Sequence, residues 1–124
     1  MLSPLVSQRI LYASAGLSAF AIFKHTQLAF TELFPRLDRG TGIERLALFA
    51  VKSNFLQVGA AWAFIGMLQL KWARFGLHGV YDKAILGWYA ISSFAFGLAY
   101  LREGVYVPLV PIWLIPALTA LSQL

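Results

Sequence analysis

The chain has 124 residues, of which 60% are hydrophobic and 12% are charged, and it contains no cysteine. A soluble domain of this length has too little interior to hide so much apolar surface, and the lack of cysteine excludes disulfides, thiolate metal sites and a cysteine nucleophile. The net charge of +5 comes from cations that stand singly between apolar runs, which indicates contact with lipid headgroups and excludes a nucleic-acid-binding face.

The first predicted span covers residues 4–34. Its uncharged run 10–23 has 14 residues, fewer than the about 20 that cross a bilayer, so the helix must continue past Lys24. Pro35 is predicted to end this helix, because the residue before a proline disfavours the α conformation. The polar residues 35–44 are predicted to form a loop outside the hydrocarbon.

The second and third predicted spans cover residues 43–70 and 83–101. Each contains 18 consecutive residues without a charge, bounded on both sides by a basic residue. These runs are close to the length that crosses the hydrocarbon core, and the bounding cations are typical of residues at the membrane surface.

The fourth predicted span, residues 105–123, has no charged side chain but contains Pro108, Pro111 and Pro116. Because an interior proline removes a backbone hydrogen bond, we predict a kinked or short final helix, with a re-entrant segment as the alternative. Together the four spans predict an all-α fold, an integral membrane four-helix bundle in which residues 1–124 form one transmembrane domain. The basic residues do not decide its orientation.

Polar residues within membrane spans are costly and are therefore the best candidates for function. His25 and Glu32 are seven residues apart and share one helical face, where the carboxylate could orient an imidazole that exchanges protons near neutral pH. The alternative is that the helix leaves the membrane here and these side chains meet headgroups.

Lys52 and Asn54 stand at the beginning of the second span, which we expect to run antiparallel to the first. His25, Glu32, Lys52 and Asn54 would then meet at one membrane side and form a candidate catalytic site. A buried Lys52 would need Glu32 or a similar acid as its partner. The arrangement predicts either a polar pocket open to an amphipathic substrate or a structural ion pair that locks the two helices.

The sequence contains no HExxH pattern, no glycine-rich nucleotide loop and no G-x-S-x-G elbow, and its two histidines are far apart. We therefore predict neither a metal nor a cofactor. These absences argue against nucleotide hydrolysis and most hydrolase classes, but they leave acid–base chemistry on a lipid open.

In layout the chain resembles small four-span membrane proteins of the DoxX-like kind, and also short fungal membrane proteins associated with natural-product pathways. The residues that carry the resemblance are Arg9 before the first span, Lys24-His25, Phe34-Pro35 and Lys52-Ser53-Asn54. It implies an accessory or catalytic role on hydrophobic metabolites, without assigning any active-site residue.

Three functions follow as hypotheses. The first is an accessory or scaffold component of a membrane-bound pathway. The second is a small membrane enzyme that does acid–base chemistry on a lipid-, isoprenoid- or polyketide-like substrate, with His25 as the acid or base. The third is an oligomeric transporter. The expected partners are the lipid bilayer, another membrane protein or a second copy of the chain, and a hydrophobic small molecule; the sequence does not indicate the organelle.

Overall fold

The computed structural model describes residues 2–40, 42 and 44–124, and these residues form helices without any β-strand. The predicted all-α class is therefore confirmed. The helices are α1 (Pro4–Leu28), α2 (Phe34–Arg39), α3 (Arg45–Phe75), α4 (Gly79–Arg102) and α5 (Ile115–Leu121). One π-helical turn, Ala29–Leu33, joins α1 to α2, and a second, Val110–Leu114, precedes α5.

Three of the helical stretches are long and apolar enough to cross a membrane, judged by their length and composition: Pro4–Arg39, Arg45–Phe75 and Gly79–Arg102. The final helix, Val110–Leu121, is shorter. At 1.5 Å per residue its 12 residues measure about 18 Å, less than the about 30 Å of a hydrocarbon core. The prediction of a short final helix is confirmed.

The first helix does not end before Pro35, as the sequence predicts, but continues to Arg39. The reason is the π-helical turn immediately before the proline, where the Phe34 N–H donates to the carbonyl of Ala29, five residues earlier. This wider turn takes up the irregularity that proline imposes on a helix, so that helical geometry resumes at Phe34.

The second and third long helices also extend beyond their predicted ends. The predicted start of the second span, residue 43, lies outside the described residues, and α3 begins at Arg45. α3 runs on to Phe75 and ends at Gly76, whose φ of 77° suits glycine. α4 then begins at Gly79, so that a short connection joins two long helices.

Helix α1 lies at the centre of the bundle, where it packs against both α3 and α5, while α4 packs against α5 and the turn before it. Two small-residue contacts set the register of α1 against α3: Gly66 lies beside Ser18, and Gly59 lies beside His25. Since the numbers rise along one helix as they fall along the other, α1 and α3 are antiparallel.

A hydrogen-bonded chain of three buried side chains joins α1, α3 and α5. Ser18 Oγ donates to Gln69 Oε1 at 2.9 Å, and Gln69 Nε2 donates to Thr119 Oγ1 at 2.8 Å. Thr119 in turn donates to the carbonyl of Ile115 at 2.8 Å. All three side chains are at most 2% exposed. Such interhelical hydrogen bonds hold helices together where lipid surrounds them.

The outer surface of the bundle is largely apolar. Large side chains such as Phe49, Trp88 and Phe96 are each more than 60% exposed. The described core is small by comparison and is divided between one cluster around Trp72 and another around Ile115. This distribution suits a chain whose outside contacts hydrocarbon instead of water.

Candidate functional site

A groove of about 630 Å³ lies between α1 and the final helix. Its wall is mainly apolar and includes Leu17, Phe20, Trp62, Leu114 and Ile115. Polar side chains line it further along the first helix, in the order Lys24, His25, Gln27, Thr31 and Glu32. Both π-helical turns contribute to its edges, which places two irregular helix segments on the same groove.

His25 is held against α3 by its ring and by one nitrogen. The imidazole stacks on the Phe55 ring with centroids 3.8 Å apart and planes 5° from parallel. Its Nε2 lies 2.8 Å from the Phe55 carbonyl oxygen, and because a carbonyl only accepts, Nε2 is the donor. Gly59 lies beside the ring, where an added Cβ atom would be 3.8 Å from His25 Cδ2, an ordinary van der Waals distance.

Glu32 lies on the first π-helical turn and lines the same groove as His25. Its carboxylate pairs with Arg36 at 3.4 Å, and both side chains are more than half exposed. The helical spacing therefore brings Glu32 and His25 to one groove, as the sequence predicts, but the ionic partner of Glu32 is Arg36.

Lys52 and Asn54 are not among the residues that line the groove. Lys52 pairs with Asp38 at 2.6 Å, and its ammonium lies 5.4 Å from the centroid of the Phe34 ring. Asn54 is exposed on α3. The acid that meets Lys52 is thus Asp38 and not Glu32, and the pair joins α2 to α3. The assignment of the four candidate residues to one catalytic site stays a prediction.

A second polar cluster lies at the opposite end of the bundle. Asp82 is buried and accepts hydrogen bonds from Lys71 Nζ at 2.7 Å and from the His78 backbone N–H at 3.2 Å. It thereby joins the end of α3 to the start of α4. This cluster closes the connection between α3 and α4 through a buried carboxylate.

Sequence reasoning missed the residues that the final helix and α3 contribute to the groove. Pro108 and Pro111 line it together with Trp62. The three prolines of the last apolar run signal an irregular helix, but they do not indicate which helix it packs against. Among the described residues no three His, Cys, Asp or Glu side chains lie close enough to hold a metal ion.

Comparison of the chain with protein-family models, with curated proteins and with solved structures gave no match. The fold and the groove define the chain as an all-α helical bundle with three helices that are long and apolar enough to cross a membrane. The resemblance to DoxX-like and fungal membrane proteins stays an expectation.

Proposed function

We propose that the protein is a multi-pass membrane protein that serves as a non-catalytic accessory component of a membrane-bound pathway, holding a hydrophobic molecule in the groove between α1 and the final helix. The observation that carries this proposal is the groove itself. It combines an apolar wall with a line of polar side chains on one helix, which is the arrangement that orients an amphipathic ligand.

The size of the groove supports a small-molecule ligand. Its volume of about 630 Å³ lies within the range of about 300–1,000 Å³ that is usual for such sites. Several of its apolar wall residues, among them Phe20 and Leu114, are exposed, so that the groove is open at its side. A hydrophobic molecule can therefore reach the groove sideways, from the surrounding lipid.

The polar contacts of the groove residues favour the binding of a ligand over catalysis. A general acid or base must reach its target proton at about 2.6–3.2 Å, directly or through water. The Nε2–H of His25 is engaged by the Phe55 carbonyl, and Glu32 is paired with Arg36. No hydrogen bond joins His25 to Glu32, and Lys52 pairs with Asp38 outside the groove.

Blocking the groove tests the proposal. A double variant, Leu17→Phe with Leu114→Phe, adds bulk to both walls and is expected to weaken the binding of brominated 18-carbon acid and alcohol probes at least tenfold. Binding is measured in detergent by quenching of Trp62, which lines the groove. The matched control, Leu56→Phe with Leu70→Phe, alters similarly exposed residues of α3 outside the groove and should bind as the parent does.

Saturable binding of at least one probe, lost in the groove variant and kept in the control, supports the proposal. If neither probe binds the parent protein, or if the two double variants bind alike, the groove does not hold a hydrophobic molecule and the proposal fails.

The membrane enzyme is the second candidate, because the His25 imidazole lines the groove. His25→Phe separates the two functions, since phenylalanine keeps the stack on Phe55 but cannot transfer a proton. With a non-catalytic component we expect product formation in the host pathway to fall less than twofold, measured at equal amounts of inserted protein. A loss of a hundredfold or more, within the range of general acid–base catalysis, would favour the enzyme.

A further inference from the structure

Lys24 lies part-way along the hydrophobic length of the bundle and not at its end. The register set by Gly59 beside His25 places Lys24 near the level of residue 60 of α3. That level lies within the uncharged stretch of α3 between Lys52 and Lys71. At 1.5 Å per residue, the Lys24 backbone is about 12 Å further into the bundle than that of Lys52.

A cation at this depth in a membrane requires an opposite charge or polar surroundings to offset the cost of burying it. Charged side chains within a membrane span normally pair, face a polar cavity or extend towards the surface. Lys24 Nζ pairs with no carboxylate among the described residues; the one side-chain hydrogen bond that it donates is to Gln27 Oε1, at 3.1 Å. The other charged side chain that lines the groove, Glu32, is already matched by Arg36.

We infer that the ligand of the groove is a single-chain amphiphile whose polar end is a carboxylate or a phosphate, bound by Lys24. This inference rests on the proposed function, because it names the ligand class of the same groove. The negative end group would neutralise the unpaired cation, and the shared low-dielectric surroundings strengthen that attraction.

The dimensions of the groove indicate that the apolar part of the ligand is a single chain. Beyond Lys24 the wall continues along α1 through Phe20 and Leu17, opposite Leu114 and Ile115 of the final helix. This path extends about two helical turns from Lys24, and the whole groove is about 630 Å³, the size of a site for one small molecule.

Quenching of Trp62 by brominated lipids tests the inference in the full chain in detergent. The probes are a dibrominated 18-carbon fatty acid, the corresponding neutral alcohol and a brominated phosphatidylglycerol. We expect the acid to bind at least tenfold more tightly than the alcohol. A Trp62→Phe variant should lose the saturable part of the quenching, since the other tryptophans do not line the groove.

Variants that change the charge at residue 24 test whether Lys24 binds the negative end of the ligand. Lys24→Gln is expected to weaken acid binding at least tenfold and to leave alcohol binding unchanged, whereas Lys24→Arg keeps acid binding within about threefold. The side chain is exposed, so these changes remove no packing. Lys83→Gln is the matched control, because Lys83 is also an exposed lysine but does not line the groove.

Tight binding of the acid that depends on Lys24 and not on Lys83 supports the inference. Equal binding of acid and alcohol, or acid binding that survives Lys24→Gln, overturns it while the groove still holds a hydrophobic molecule. Preference for phosphatidylglycerol over the acid overturns the assignment of a single-chain ligand. Absence of binding by both the acid and the alcohol would remove the proposed function together with this inference.

Discussion

Replacing Gly97 with valine is expected to destabilise the contact between α4 and the final helix by about 2–3 kcal/mol, the upper part of the range for overpacked sites. The Trp113 indole lies directly against Gly97, so that a Cβ atom added there would overlap the ring. The ring has little freedom to move aside, because it also stacks on Phe94 with centroids 6.0 Å apart. The free energy of unfolding, measured by denaturant titration in detergent, checks the prediction.

Gly87→Val is the control for this change. Gly87 lies on the same helix and has no atoms within 4 Å of the position that a Cβ would occupy. It should therefore report only the difference in helix propensity, which favours valine over glycine by a few tenths of a kcal/mol. Equal destabilisation by the two substitutions would show that the Trp113 contact does not limit stability.

Gln69→Leu is expected to lower the free energy of unfolding by about 1–2 kcal/mol. Leucine has a similar size, but it accepts nothing from Ser18 and donates nothing to Thr119. Both hydroxyl groups are buried and would then lose an interhelical partner. We expect the helices to remain folded but to separate at lower denaturant concentration, as measured by near-UV circular dichroism in detergent.

The matched control is Gln57→Leu, at an exposed residue of the same helix. Since leucine is more favourable than glutamine against lipid, this change should be neutral or stabilising. Combining Gln69→Leu with Thr119→Val should cost less than the sum of the single effects, because both remove the same hydrogen bond. Strictly additive effects would mean that the hydrogen bond contributes nothing measurable.

Two of the three long helices could be predicted directly from charge-free runs, whereas the uncharged run of the first helix has only 14 residues. The 18 uncharged residues before Lys71 and the 18 before Arg102 both lie inside single helices. Helix ends were harder to predict, because a proline can either end a helix or be accommodated within it. Pro35 follows a π-helical turn and is accommodated, a choice that depends on backbone hydrogen bonds and not on composition.

The rotation of each helix about its axis was the least predictable property. In a soluble protein the polar face identifies the outside, but here the outer and inner faces are both apolar. Gln69 and Thr119 point inwards, so polar residues mark the interior instead. That inversion could have indicated the chain of buried side chains, although not which residues bond to which.

The candidate site was partly predictable for the same reasons. A seven-residue spacing was enough to place His25 and Glu32 on one side of the first helix, and both line the groove. The partner of Lys52 was not predictable, because it depends on the helix continuing past Pro35 and bringing Asp38 towards α3. The opposite wall of the groove depends on tertiary packing of the final helix, for which the sequence has no local signal.

The length of the final helix has a consequence for the surrounding bilayer. At about 18 Å it covers little more than half of the about 30 Å hydrocarbon thickness, while its neighbours cover all of it. We expect acyl chains beside it to tilt and compress to meet this hydrophobic mismatch, which costs less in a thin membrane than in a thick, sterol-rich one. Membrane thickness would then influence in which cellular membrane the protein has the lowest free energy.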